Sequence, residues 1–126
     1  MKNLNSKIKI FVIFIFLALF GFLLFSFSRP ERPEKANPAL TTFAQCLSDK
    51  GAVMYGAYYC SHCQNQKKQF GPAFDEINYV ECTTEIKKCQ DEGVTGYPTW
   101  VFADNSRLLG EQSFATLAGK TGCPFP

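Results

Sequence analysis

Over residues 39–126 the sequence has no surplus of positive charge: seven Lys/Arg stand against nine Asp/Glu. Without a basic patch this part of the chain has little with which to neutralise a phosphate backbone, which excludes nucleic acid as a partner. Histidine is almost missing, with His62 alone in 126 residues. The residues available to complete a zinc site with Cys60 and Cys63 are Cys82 and Cys89. Their spacing, six residues between the two sulfurs, does not match the usual zinc knuckles, so no metal is expected.

Charge is also absent from residues 10–27 (IFVIFIFLALFGFLLFSF), where only Gly21 and Ser26 are not strongly apolar. Eighteen helical residues rise about 27 Å, just enough to cross a bilayer core. A clear A-x-A cleavage site is lacking, with Ser26-Phe27-Ser28 the only weak candidate. The run therefore reads as an uncleaved signal-anchor behind a cytoplasmic tail at residues 1–9. Lys2, Lys7 and Lys9 precede it, while Arg29, Arg32 and Lys35 follow. With the free amine this favours N-in insertion. Residues 28–38 (SRPERPEKANP) hold three prolines and no repeat, an extended linker that reaches at most roughly 35 Å.

Cysteine, by contrast, is abundant. Six in so short a chain, beside an export signal, point to an oxidising compartment outside the cytosol. The remaining residues, 39–126, make one small domain whose modest core cross-links would help.

Within it, residues 39–49 suit a helix with Phe43, Cys46 and Leu47 on one face, stopped at Lys50-Gly51. Residues 52–58 read as a buried strand. A helix follows the motif Cys60-Ser61-His62-Cys63 and is ended or kinked at Gly71-Pro72. Residues 77–82 form a strand, 84–92 a short helix stopped by Gly93, and 94–98 a turn. Residues 99–103 and 107–109 form a hairpin around Asp104-Asn105. Residues 113–120 close the chain as a helix capped by Ser113. The order α-β-α-β-α-β-β-α predicts an α/β domain with central strands buried on both faces. Most aromatics, Tyr55, Tyr58, Trp100 and Phe102 among them, are assigned to the core.

A strand that ends at Tyr59 and leads into C-x-x-C on the first helical turn suits dithiol chemistry. Unpaired N–H groups and the helix dipole favour a thiolate at Cys60, while Cys63 lies one turn on and deeper. His62 between them is placed to stabilise that thiolate. Pro98, from local sequence alone, is a turn proline opening a strand.

The segments GAVMYGAYYCSHCQNQKKQFG, INYVEC and GYPTWVF resemble the thioredoxin superfamily. In particular they resemble the thioredoxin-like domain that accompanies vitamin K epoxide reductase homologues in bacteria and plants. The resemblance implies a thioredoxin-like fold with a central mixed sheet of about four strands. It implies Cys60 as nucleophile, Cys63 as resolving thiol and Pro98 as a cis-proline against the dithiol. Tyr59 and Tyr97 would rim the site, with an extended substrate pairing near the Tyr97 backbone. Relatives often carry Pro where this chain has Ser61.

The resemblance also implies a Cys82–Cys89 disulfide, either structural or relaying electrons. Cys46 and Cys123 are then left over. Pairing them would tie the domain's ends together and add about 4 kcal/mol; the alternative is a buried free thiol at Cys46.

The implied activity is thiol–disulfide exchange with no cofactor beyond the Cys60–Cys63 disulfide. The enzyme would be single-pass in the plasma membrane with its domain extracytoplasmic. It would donate disulfides to exported cysteine-containing proteins and be recharged by a vitamin K epoxide reductase-like membrane protein, expected as a separate chain. A reductase or isomerase using the same site, or a non-catalytic tethered binding module, are the rival expectations.

The charge pattern makes a prediction about orientation. A reporter that is active only after export, fused behind Pro126, should be active. Activity of a cytosol-only reporter at the same position would reverse the topology.

Overall fold

A computed structural model of the chain describes residues 2–27 and 35–126. They fall into two compact units, divided between Pro33 and Glu34. The linker expected at 28–38 lies mostly on 28–34, outside the described residues.

The first unit is a single helix, α1 (Lys2–Phe27). It takes in residues 2–9, expected as a tail ahead of the span, because Lys, Leu and Ile there are good to moderate helix formers. Its stretch Asn5–Leu23 has a mean hydropathy of 2.2 and is long and apolar enough to cross a membrane.

The second unit opens with α2 (Pro38–Asp49). Asn37 caps it by accepting the Ala39 N–H at 3.0 Å, and Pro38 occupies the first turn, where its missing N–H costs nothing. The chain then runs through β1 (Val53–Gly56), α3 (Ser61–Phe70), β2 (Asn78–Glu81), α4 (Ile86–Asp91), β3 (Thr99–Val101), β4 (Arg107–Leu109) and α5 (Phe114–Thr121). The sheet order is β2-β1-β3-β4, with β1 and β2 parallel and the other two pairings antiparallel. This is the expected four-stranded mixed sheet with helices around it.

Two-sided burial holds for β3, all three residues of which are buried. It holds only in part for β1, the other central strand, where Met54 and Gly56 are buried but Val53 and Tyr55 are half-buried; β2, at the edge, is exposed at Asn78. Gly71-Pro72 does not simply end α3: residues Gly71–Glu76 continue as a 3-10 helix that buries Ala73. Proline lacks a donor but fits a first turn, so the break starts a new element. Ser113 caps α5 through Thr116 N–H at 3.1 Å, and Gly122 ends it in the left-handed conformation that glycine alone adopts freely.

The core is an aromatic cluster drawn from four elements. Phe70 of α3 stacks with Phe43 of α2, meets Phe114 of α5 edge-on at 4.8 Å and lies 6.3 Å from Trp100 of β3. Each burial of this kind contributes about 1.5–3 kcal/mol. Tyr58, expected here, is instead 67 % exposed; it sits in the loop after β1, where no sheet covers it. Two disulfides complete the frame. Cys46–Cys123 closes 77 residues and Cys82–Cys89 closes seven, with three of the four cysteines buried.

Among the described residues two polar side chains are buried, Thr99 and Gln66, and the second ties elements together. Gln66 is fully buried, and its Oε1 accepts both the Trp100 indole N–H at 3.3 Å and the Gln112 backbone N–H at 2.7 Å. Its Nε2 donates to the Gln112 carbonyl at 3.1 Å. Gln66→Leu keeps the volume but orphans these groups, and it should destabilise the domain by about 2–4 kcal/mol. Urea unfolding of the disulfide-intact protein checks this; an unchanged midpoint would refute it.

Candidate active site

β1 delivers the chain to a tight loop, where Cys60 N–H donates to the Ala57 carbonyl at 3.0 Å. Cys60 has extended backbone angles and occupies the N-cap of α3. Its half-buried Sγ accepts the Cys63 N–H at 3.4 Å, and its thiol donates to the Tyr97 carbonyl at 3.6 Å. The same sulfur thus meets an acceptor that suits the thiol and a helix-terminal donor that suits the thiolate.

Cys63 is different. It is fully buried. Burial pushes its thiol up to about 12; a backbone hydrogen bond at Ala57 works against this, and the neighbouring Cys60 sulfur adds to it. Both cysteines carry free thiols. The site therefore pairs one reachable sulfur with one shielded sulfur.

The Tyr97–Pro98 peptide bond is cis, and the strand β3 follows directly. The hairpin return anchors this segment, with Gly110 N–H donating to the Pro98 carbonyl at 2.7 Å. Tyr97 is half-buried beside Cys60, while Tyr59 is 64 % exposed and packs edge-on against Tyr58 at 5.4 Å. Together Tyr58 and Tyr59 form an exposed aromatic ledge immediately before the dithiol.

His62 is also exposed, and its Nδ1 donates to Glu111 Oε1 at 2.6 Å. The expected partner of this ring was the Cys60 thiolate; the partner seen is a carboxylate 49 residues away. That hydrogen bond is the main reason the Glu111 carboxyl titrates below its ordinary range, with Asn65 adding a second donor. Among the described residues no cluster of three or more His, Cys, Asp or Glu is arranged to hold a metal.

Three participants were not legible as site residues. Glu111 lies in a loop with no local signal. Gln66 sits in the polar run QNQKKQ, although its spacing from Cys63 and Phe70 places all three on one helical face. Gly56 carries the plainest signal, a glycine inside a strand, which marks a close approach. A Cβ there would sit 2.9 Å from Cys63 Sγ and 3.1 Å from the Tyr79 ring.

A four-stranded mixed sheet, a dithiol at the start of the helix after β1 and a cis-proline before β3 define a thioredoxin-like dithiol domain. No family model matches the chain. Among curated proteins it is similar to the thiol-disulfide oxidoreductase LTO1 of Arabidopsis thaliana, 42% identical over 103 residues, 75% of this chain and 27% of that protein. It is also similar to the probable protein disulfide-isomerase ER-60 of Schistosoma mansoni, 34% identical over 68 residues, 47% of this chain and 14% of that protein. The chain thus spans about a quarter or less of the length of either relative.

The unequal burial predicts unequal alkylation. A thiol raised to about 12 stays protonated well below that pH, so at pH 8 Cys63 is almost entirely thiol. Brief iodoacetamide treatment of the reduced protein should label Cys60 and leave Cys63 intact, read by peptide mass mapping. Equal labelling would contradict the geometry.

Proposed function

We propose that this chain is a membrane-tethered thiol–disulfide oxidoreductase in which Cys60 is the nucleophile and Cys63 the resolving thiol. The observation that carries it is the pairing of a reachable Cys60 Sγ, held by the Cys63 N–H at a helix start, with a fully buried Cys63. A substrate thiolate attacks Cys60 Sγ of the oxidised site, the Cys60–Cys63 bond breaks, and Cys63 leaves as a thiolate that takes up a proton. The substrate's second thiolate then attacks its own sulfur in the mixed disulfide, and Cys60 departs with the electron pair. Two electrons now rest on the dithiol, which is the only redox group required.

The substrates are exported, cysteine-containing polypeptides. An extended segment would lie along the Tyr97–Pro98 backbone against the ledge of Tyr58 and Tyr59, by strand addition. His62, tied to Glu111, tunes the Cys60 site through its position at the helix start. α1 anchors the domain in the plasma membrane with the dithiol on the extracytoplasmic side. The resemblance to domains that accompany vitamin K epoxide reductase homologues supports an enzyme of that kind as the membrane oxidant, and tethering raises the effective concentration of the two. The buried sulfurs of Cys82–Cys89 favour a structural role for that disulfide over a relay.

A second reading, disulfide isomerase, is favoured by the Schistosoma relative alone; the equilibrium potential of Cys60–Cys63 against glutathione separates donor from reductant or isomerase. Cys63→Ala should leave Cys60 caught on its partners. Expressed in its native host, the variant should accumulate reducible adducts with exported proteins and with a multi-pass membrane protein, and Cys60→Ala should show far fewer. Adducts with soluble proteins alone would remove the membrane oxidant; equal trapping by both variants would remove the function.

A further inference from the structure

Cys63 is sealed from solvent, yet each exchange must remove or restore its proton. Behind it lies a built set of groups that the dithiol chemistry described so far does not use. The missing side chain at Gly56 leaves a gap between Cys63 and Tyr79: a Cβ there would be 2.9 Å from Cys63 Sγ and 3.2 Å from Tyr79 Oη, so the two atoms border the same space. Tyr79 Oη donates to Glu81 Oε2 at 2.7 Å. Glu81 Oε1 accepts from Thr83 Oγ1 at 2.7 Å and from the Tyr58 N–H at 3.2 Å, in the loop that leads to Cys60. Lys67, one turn beyond Cys63 on α3, holds its ammonium 3.7 Å above the Tyr79 ring. Cys82, the residue after Glu81, is fixed by its disulfide and by its N–H bond to the Gly56 carbonyl at 2.8 Å.

We propose that Tyr79 and Glu81 form the proton path between buried Cys63 and water, with Lys67 supplying the positive charge that steadies the Cys63 thiolate. The proposal deepens, and rests on, the exchange assigned to Cys60 and Cys63. The titratable groups around Cys63 are Cys60 ahead of the helix, Lys67 on the helix itself, and Tyr79 and Glu81 on β2.

Their protonation fits the roles. Burial, and then the bond to Glu81, push the Tyr79 hydroxyl well above its ordinary range, so it stays neutral and relays rather than stores a proton. Burial would raise Glu81, but hydrogen bonds from Tyr79, Thr83 and Tyr58 outweigh it and keep the carboxylate ionised and ready to accept. Glu81 is half-buried, which leaves it a route to solvent.

In the resolving step, Cys63 S–H passes its proton to Tyr79 Oη while the Tyr79 proton moves to Glu81 Oε2. The Cys63 thiolate attacks Cys60 Sγ, the bond to the partner sulfur breaks, and the partner leaves as a thiolate with the electron pair. Glu81 then releases the proton to water. Reversal of the same path protonates Cys63 when the site delivers its disulfide.

The full chain in detergent, with Cys60 and Cys63 reduced, is mixed with excess 5,5′-dithiobis(2-nitrobenzoate). The first thionitrobenzoate released reports attack by Cys60, and the second reports resolution by Cys63. In Tyr79→Phe and in Glu81→Gln the first phase should stay within about twofold of the parent. The second should slow by about 10- to 100-fold, a modest general acid–base effect. Its rate should also rise about tenfold per pH unit between pH 7 and 9, as hydroxide replaces the missing path, where the parent rises less steeply. Glu81→Asp should recover part of the rate.

An unchanged second phase in both variants, or a slowing shared equally by both phases, would overturn the path. Absence of the first phase in the parent would instead overturn the exchange function. Should Tyr79→Phe fail to fold, Glu81→Gln decides alone, because an amide oxygen still accepts from Thr83 and Tyr58.

Discussion

The arrangement of the dithiol depends on the hydrogen bonds of one buried amide. Gln66 lies on the same face of α3 as Cys63 and binds Trp100, two residues past Pro98, together with both polar groups of the Gln112 backbone. The helix that carries the dithiol, the strand that follows the cis-proline and the loop that carries Glu111 are thereby pinned to a common point. A leucine would fill the space and leave the three free to slide. Apolar packing is tolerant of small shifts, whereas three directional bonds specify a single register.

From that register follows the inequality of the two sulfurs. The helix start reaches the surface at Cys60 and lies against Gly56 at Cys63. One sulfur meets partners of suitable polarity, while the other is displaced from its ordinary titration by lack of water. A pair of equivalent thiols would compete for substrate. Here exposure decides which sulfur meets the substrate first, and burial decides which one waits.

Much of this architecture was legible from residue spacing. Short apolar runs between Gly, Pro and Asn marked the strands, and Ser113 and Asn105 fell where a cap and a positive-φ turn need them. What escaped depended on distant partners. Gln66 belongs by composition to a solvated face, and only Trp100 and Gln112, 34 and 46 residues on, make it a core residue. Glu111 gains meaning from His62, 49 residues back. Tyr58 was misplaced because aromatic character argues for burial, and no local signal says that the sheet ends before it. Gly71-Pro72 marked a boundary correctly but concealed the 3-10 helix beyond it.

The Cys46–Cys123 bond has a consequence for what happens when the backbone is cut. It encloses nearly the whole domain, from the last turn of α2 to the residue after α5's terminal glycine. A single proteolytic nick anywhere between those cysteines leaves one covalent molecule, and a nick between residues 82 and 89 is bridged a second time. Both fragments stay joined through sulfur, so the damage does not by itself shed half of the fold. A nick elsewhere becomes a loss only when the outer disulfide is reduced, and one between residues 82 and 89 only when both disulfides are.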